Sequence, residues 1–222
     1  MPATEPPEAE VVGGDPELAA RAGPDGPLVW FRPSDASDVA RAIGLAVGAE
    51  HPGPTALALD AMVVEAAALD HDVTPPPIPA ADVAVNAVIL GAAPDRQRWG
   101  SPTFPIEVVV DGRPAFSGRA VGVVVASGQY VRGLDVVPRG HPGDGRLEVQ
   151  VYATRRRERG AVRGRLRRGD HLPHPRILER SGRAVEVRLG RGAAPLEVDA
   201  RPGPDVSRVR LEVVPRAIRV LV

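Results

Sequence analysis

"PIEVVVDGRPAFSGRAVGVVVAS", residues 105–127, reads as a β-hairpin around an Asp-Gly pair. Ile106, Val108 and Val110 fall on one face of a strand, and Asp111-Gly112 is the pair that a two-residue hairpin takes, because both central residues need positive φ. The same period of two returns further on. "RLEVQVYA" (146–153) sends Leu147, Val149 and Val151 one way and Glu148, Gln150 and Tyr152 the other, and "AVEVRLG", "VRLEVVP" and "AIRVLV" repeat it. Each pattern predicts one buried face. Five or more such strands, parted by Gly/Pro turns, predict a β-sandwich with a few helices attached.

The first quarter of the chain has another texture. Residues 1–10 are rich in Pro and Glu and are expected to form a disordered tail, with order beginning near Val11. "VVGGDPELAA" (11–20) reads as a strand, a glycine turn and a helix from Pro16 to about Ala22. "LVWF" (28–31) reads as a second strand, and "PSDASDVARAIGLAV" (33–47) as a helix capped by Ser34 or Ser37 with Val39, Ile43 and Ala46 on its inner face. Strand, helix, strand, helix is an α/β pattern. The turn-rich "GAEHPGPTA" follows, and a boundary near residue 56 divides an α/β portion (11–56) from a larger sandwich (57–222). The expected fold class is therefore α+β.

The glycine turn raises the question of phosphate. Gly13 and Gly14 bring backbone N–H groups towards a helix N-terminus, where an anion is favoured. Asp15 as N-cap, Pro16 without an N–H and Glu17 in the first turn oppose it, since the helix then supplies its own negative charge. A capped helix after a buried strand is the reading this stretch favours over a phosphate site.

Composition narrows the classes. The 222 residues balance 28 basic against 28 acidic groups, every basic one arginine, and contain no cysteine. Thiolate metal sites and disulfides are excluded. No apolar run reaches the ~20 residues of a membrane span and the N-terminus does not read as a signal peptide, so a cytoplasmic location is expected, with peripheral membrane contact as an addition. The abundance of Ala, Gly, Pro, Val and Arg matches the usage of a high-GC genome, which warns against overreading arginine counts.

The order of these pieces resembles a family. "VVGGDPELAARAGPDGPLVWFRPSDASDVARAIGL" resembles the stretch of bacterial diacylglycerol and sphingosine-type lipid kinases in which GGDGT precedes a GTxND-F-A-R-x-L-G motif. "VVVASGQYVRGLDVVPRGHPGDGRLEVQVY" is similar to their Asn-Gly strand, proline turn and D-D-G-x-L-D-V strand. "LRRGDHLPHPRILERSGRAVEVRLGRGAAPLEVDARPG" is similar to the region that ends in D-G-E, and "EVVPRAIRVLV" to the closing strand. The resemblance runs from about residue 11 to the C-terminus. It implies an α/β nucleotide-binding half packed on a β-sandwich like that of NAD kinases, with ATP, magnesium and lipid in the cleft between them.

Within that resemblance Gly13, Gly14 and Asp15 keep the first part of the nucleotide motif, while Pro16 and Glu17 replace its last Gly and Thr. Asp38, Ala40, Arg41 and Gly44 match the second motif, but Ser34, Asp35 and Ser37 do not. Asp144-Gly145 matches half of D-D-G, with Gly143 in the first Asp position, and Asp144 is implied to help hold magnesium. Asp199 aligns with the Asp implied to take the proton from the lipid hydroxyl, and Ala200 and Arg201 replace its partners. Ordinary turn chemistry also accounts for Asp144 and for Asp199. The family's portion ahead of GGDGT has no counterpart beyond the Pro/Glu-rich tail.

The expectation is thus a shortened lipid-kinase relative with lost or weak ATP-dependent phosphorylation and a lipid- or partner-binding role, needing no cofactor. The alternatives are an active or partner-completed ATP:lipid phosphotransferase, using ATP and magnesium with Asp199 as base, and an arginine-dependent membrane-surface protein. Homo-oligomer and partner-protein association both stay open. "RRRERGAVRGRLRR" (155–168) sets eight arginines against one glutamate, which reads either as a solvated face or as an attractor of anionic lipid. No aromatic residue interleaves it, and nucleic acid is not expected. His171 and His174 with Asp170 could ligate a metal, but Pro173 puts them on a loop without further ligands.

Overall fold

The computed structural model describes residues 6–48, 55–67 and 82–221. It opens with β1 (Ala9–Gly13), α1 (Asp15–Ala19), β2 (Leu28–Pro33) and α2 (Asp38–Ile43). β1 and β2 run parallel, with Val11 opposite Phe31, and α1 presses Leu18 and Ala19 against Val29 and Phe31. β1 begins two residues ahead of Val11, and residues 1–5 of the expected tail lie outside the described residues. α1 is shorter than its apolar pattern suggested, because after Ala19 the chain continues as single turns from Arg21 to Leu18 and from Ala22 to Ala19. In α2 the Ser37 hydroxyl accepts from Ala40 N–H, and Gly44 at φ 71° ends the helix, so Ala46 lies past it rather than on its inner face.

The strands that follow are β3 (Ala56–Ala67), β4 (Asp82–Ala84), β5 (Ala87–Gly91), β6 (Phe104–Val110), β7 (Arg113–Ala120), β8 (Gly122–Ala126), the short pair β9 (Tyr130–Val131) and β10 (Leu134–Asp135), and β11 (Leu147–Tyr152). Helix α3 (Arg159–Leu166) then precedes β12 (Ile177–Gly182), β13 (Ala184–Leu189), β14 (Ala194–Val198), β15 (Arg201–Val206) and β16 (Arg208–Leu221). One sheet has the order β1-β2-β16-β13-β6-β7, with β3 on β16 and β4 on β3. The other is β12-β11-β8-β5-β14-β15. Val108, Val187 and Leu211 of the first sheet meet Val88, Val123, Val149 and Leu196 of the second in one apolar layer, which makes the pair a β-sandwich.

The β6–β7 hairpin turns at Asp111 and Gly112, with φ 48° and 74°, as the Asp-Gly pair predicts. The Asp111 carboxylate also accepts from Arg183 and Ala184 N–H, which holds it below the usual carboxylate range. The chain then changes sheets between Ala120 and Gly122.

In β11 the simple one-face expectation fails. Gln150 and Tyr152 are as buried as Val149 and Val151, because α3 and the segment after β10 cover the outer face of the second sheet with Val162, Leu166, Val136 and Val137. The Gln150 amide donates to Val136 O and accepts from the Tyr152 hydroxyl, so both polar groups are satisfied.

The two segments "VRLEVVP" and "AIRVLV" are one strand. β16 pairs β13 through its first half and β2 through its last residues, and lies along β3 for most of its length, interrupted between Val214 and Ile218. Buried Asp60 stands at that interruption. It accepts from Arg216 N–H (3.0 Å) and from Gly145 N–H (2.6 Å), while its own N–H donates to Pro142 O. One carboxylate thus fixes a bulge and a loop together. Asp60→Ala leaves two backbone donors without partners, and a loss of about 2–3 kcal/mol is expected. In a chain of this length that is a fall of about 5–10 °C in Tm. Asp60→Asn keeps one acceptor and should lose less; a melting curve unchanged in Asp60→Ala would show that the bulge needs no anchor.

Candidate functional site

A cavity of about 310 Å³ opens where the N-termini of α1 and α2 face β5 and the β14–β15 turn. Asp15, Asp38, Asn86, Arg132, Glu197 and Asp199 line it, together with Gly14, Pro16 and Glu17 of the glycine turn. The sequence therefore brings Gly14, Asp15 and Asp199 to one place from positions nearly two hundred residues apart.

Gly14, not Asp15, is the N-cap of α1. Its N–H donates to Glu17 Oε2 at 2.8 Å, so the helix's own carboxylate sits on the donor that an anion would use. Pro16 contributes no N–H. Asp15 begins the helix and turns its carboxylate inward to cap α2 instead: it accepts from the Ser37 hydroxyl (2.6 Å), Asp38 N–H and Val39 N–H (both 3.2 Å). Burial raises its pKa to about 7 against the lowering effect of these bonds, with the charges of Asp199 and Asp38 adding to the rise.

Asp38 passes the same kind of tie onward. Its two oxygens accept from Arg132 N–H (2.5 Å) and Gly133 N–H (2.7 Å), in a turn where both residues have positive φ. The Arg132 guanidinium then bridges Asp95 (2.9 Å) and Glu197. Asp199 sits in the β14–β15 turn at φ 45°, 3% exposed. Its oxygens accept from Val85 N–H (2.8 Å), Asn86 N–H (3.0 Å) and Ala87 N–H (2.9 Å), where β4 passes into β5. Burial pushes its pKa up to about 6, and the three N–H groups hold it from rising further. The Asn86 amide donates to Tyr130 O, while its Oδ1 is buried with no partner among the described residues.

Asp144 is not in this cleft. It is exposed, and its carboxylate closes a turn onto Arg146 N–H (2.9 Å). His171 is fully buried with Nε2 3.1 Å from Val136 O, and burial lowers its pKa. His174 accepts from Arg176 N–H through Nδ1. Among the described residues no group of three or more His, Cys, Asp or Glu is placed to hold a metal ion. Magnesium does not fit the cleft as built, because the carboxylates of Asp15, Asp38 and Asp199 are all engaged by backbone N–H groups. Phosphate does not fit the glycine turn while Glu17 occupies it.

Arg132, Glu197 and Asn86 escaped the sequence reading. Asn86 alone left a signal, a single amide inside the apolar run "VAVNAVIL". Arg132 and Glu197 lie on unlike elements, and only the fold makes them neighbours.

Three solved structures share this architecture. A candidate diacylglycerol kinase from Bacillus anthracis str. Sterne aligns over 96% of this chain and 77% of its own at TM-score 0.73 and 14% identity. A diacylglycerol kinase structure from the same organism aligns over 96% and 75% at 0.67 and 15%. Yeast NADH kinase in complex with NADH aligns over 96% and 60% at 0.55 and 14%. At these identities the likeness is one of fold. No curated protein matches the chain. Residues 92–222, more than half of the chain, match the model of the YegS C-terminal NAD kinase beta sandwich-like domain. The chain belongs to that family, on a fold shared with diacylglycerol kinases and NADH kinase.

Proposed function

We propose that this chain has lost, or nearly lost, phosphoryl transfer and acts as a binding module that keeps the lipid-kinase cleft for a lipid or protein partner. The observation that carries this reading is Glu17 Oε2 on Gly14 N–H. Phosphoryl transfer is positioning plus neutralisation of charge on the transferred group. Here the turn that would position the phosphate holds a carboxylate, and five carboxylates line the cleft (Asp15, Glu17, Asp38, Glu197, Asp199) against the guanidinium groups of Arg132 and Arg201. A polyphosphate meets net repulsion there. A neutral, hydroxyl-bearing group such as a lipid glycerol does not.

One observation favours an active enzyme instead. Asp199 lies in the cleft with its pKa raised to about 6, a value suited to a general base near neutral pH. In that reading a partner supplies the phosphate-binding groups, ATP and magnesium are required, and Asp199 takes the proton of the lipid hydroxyl.

Two measurements separate these readings. Purified protein with ATP, magnesium and diacylglycerol, or with ceramide- or sphingosine-like acceptors, is expected to form no phospholipid product. ATP with magnesium is also expected to leave Tm unchanged, whereas ligand at about a hundred times its Kd would add ~2.7 kcal/mol. Turnover abolished by Asp199→Asn, or a clear ATP-dependent rise in Tm, would overturn the binding-module reading in favour of the enzyme.

The buried carboxylates make a further expectation about stability. Asp15 and Asp199 keep their protons to about pH 7 and about pH 6 in the folded chain, against an ordinary value of 3.8. Between those limits the folded state binds more protons than the unfolded state, so stability falls as pH rises through the window. Tm should therefore drop between about pH 5 and about pH 7. Asp15→Asn keeps an acceptor for the Ser37 hydroxyl but cannot ionise, and the drop should be smaller in it. Equal slopes in the two proteins would remove Asp15 as a cause.

A further inference from the structure

Helix α3 and the segment before β6 enclose an open groove of about 700 Å³. Its walls carry Arg96, Arg98, Arg156, Arg157, Arg163 and Arg167, with Asp95 the one acidic group among the lining residues. Asp95 is already paired with Arg132. Trp99 stands at the groove 65% exposed, one of three large apolar side chains so exposed among the described residues. The arginine run 155–168 lacked an aromatic neighbour in sequence; the fold supplies one.

The arrangement is built rather than accidental. Arg159, buried on the inner side of α3, donates from one nitrogen to the carbonyls of Arg98 (3.1 Å), Trp99 (3.3 Å) and Ser101 (2.7 Å), and Arg163 donates to Gln97 O (3.2 Å). Ser101 Oγ accepts from Arg98 N–H. Two arginines of the run are thus spent in pinning the loop that carries Trp99. The guanidinium groups of Arg98, Arg156, Arg157 and Arg167 have no hydrogen-bond or ion-pair partner among the described residues, and all four residues are exposed. Every arginine stays charged at any ordinary pH.

We propose that this groove docks the protein on an anionic membrane surface, with the free guanidinium groups on lipid phosphates and Trp99 in the headgroup layer. Planar guanidinium groups match phosphate oxygens two at a time. An indole pairs an apolar body with one N–H, which places it at the boundary between headgroups and acyl chains. Single-stranded nucleic acid asks for successive aromatic platforms along a basic track, and here one indole stands alone. The groove also adjoins the cleft. Asp95 and Arg96 belong to its wall, Glu197 to the cleft's, and Arg132 and Arg96 both reach Glu197. A membrane on the groove therefore lies beside the cleft mouth. The inference stands apart from whether the cleft transfers phosphate.

Vesicle sedimentation tests it with the full chain. Binding to vesicles of phosphatidylcholine with a third phosphatidylglycerol is expected, none to phosphatidylcholine alone, and the binding should weaken as salt rises to physiological strength. Each surface arginine near an anionic surface contributes roughly fivefold in binding, so Arg156→Ala/Arg157→Ala/Arg167→Ala should lose roughly a hundredfold. These side chains are exposed, and an unchanged circular dichroism spectrum and Tm will show that the variant folds. In a Trp30→Phe background, the emission of Trp99 should shift to the blue with anionic vesicles only. Equal binding to neutral vesicles, an unaffected triple variant or an unmoved Trp99 emission would overturn the proposal. So would binding to a single-stranded oligonucleotide without binding to vesicles, or inorganic phosphate at millimolar concentration competing vesicles away, which would identify a small-anion site instead.

Discussion

The fold depends on one strand being shared. β16 gives its first half to the sandwich through β13 and its last residues to the α/β portion through β2, while β3 lies beside it on both sides of the bulge. A continuous ladder of that length has to bend between two packing partners. The bulge at Pro215-Arg216 absorbs the bend, and Asp60 satisfies the Arg216 N–H that the ladder leaves behind. The α/β portion is therefore an extension of the sandwich's own sheet. The cleft exists because that extension carries α1 and α2 up to the edge of the second sheet.

A second regularity runs through the site. Asp15, Asp38, Asp60 and Asp199 all turn their carboxylates onto backbone N–H groups of a distant segment. A buried carboxylate is costly unless its lone pairs are filled, and irregular backbone is costly unless its N–H groups are. Each debt settles the other. Asp15 caps α2, whose Asp38 holds the turn of Arg132, whose guanidinium reaches Glu197, two residues before Asp199. Acidic residues in this cleft thus have structural duties whether or not phosphate is transferred.

The sandwich was legible because strand alternation is a local signal: β6 and β13 follow it residue by residue. It misled where burial was not local. Nothing within "RLEVQVYA" reveals that α3 will cover Gln150 and Tyr152, and nothing within "EVVPRAIRV" reveals that Pro215 interrupts one strand rather than separating two. The site was half legible. Gly14, Asp15, Asp38 and Asp199 stood out by pattern, but the direction in which Asp15 points depends on Ser37 across a parallel crossover, and the ties of Asp199 lie more than a hundred residues away. The position of Asp144 outside the cleft was not legible for the same reason. An Asp-Gly turn looks alike whether its carboxylate meets a metal or only its own Arg146 N–H.

Glu17 on Gly14 N–H and the arginines around Trp99 bear on one question, where this molecule can meet an anion. At the glycine turn the donor is taken by a carboxylate held in the same helical turn, so an incoming phosphate must displace a partner that pays almost no entropy to stay. At the groove the free guanidinium groups stand exposed, while Arg159 and Arg163 are held by the carbonyls of 97–101. Arg132 and Arg96 join the two regions through Glu197, so the electrostatic contrast falls across a single wall. Attraction for anions sits outside the cleft and repulsion inside it, an arrangement that would hold a charged surface at the mouth while admitting only its uncharged groups.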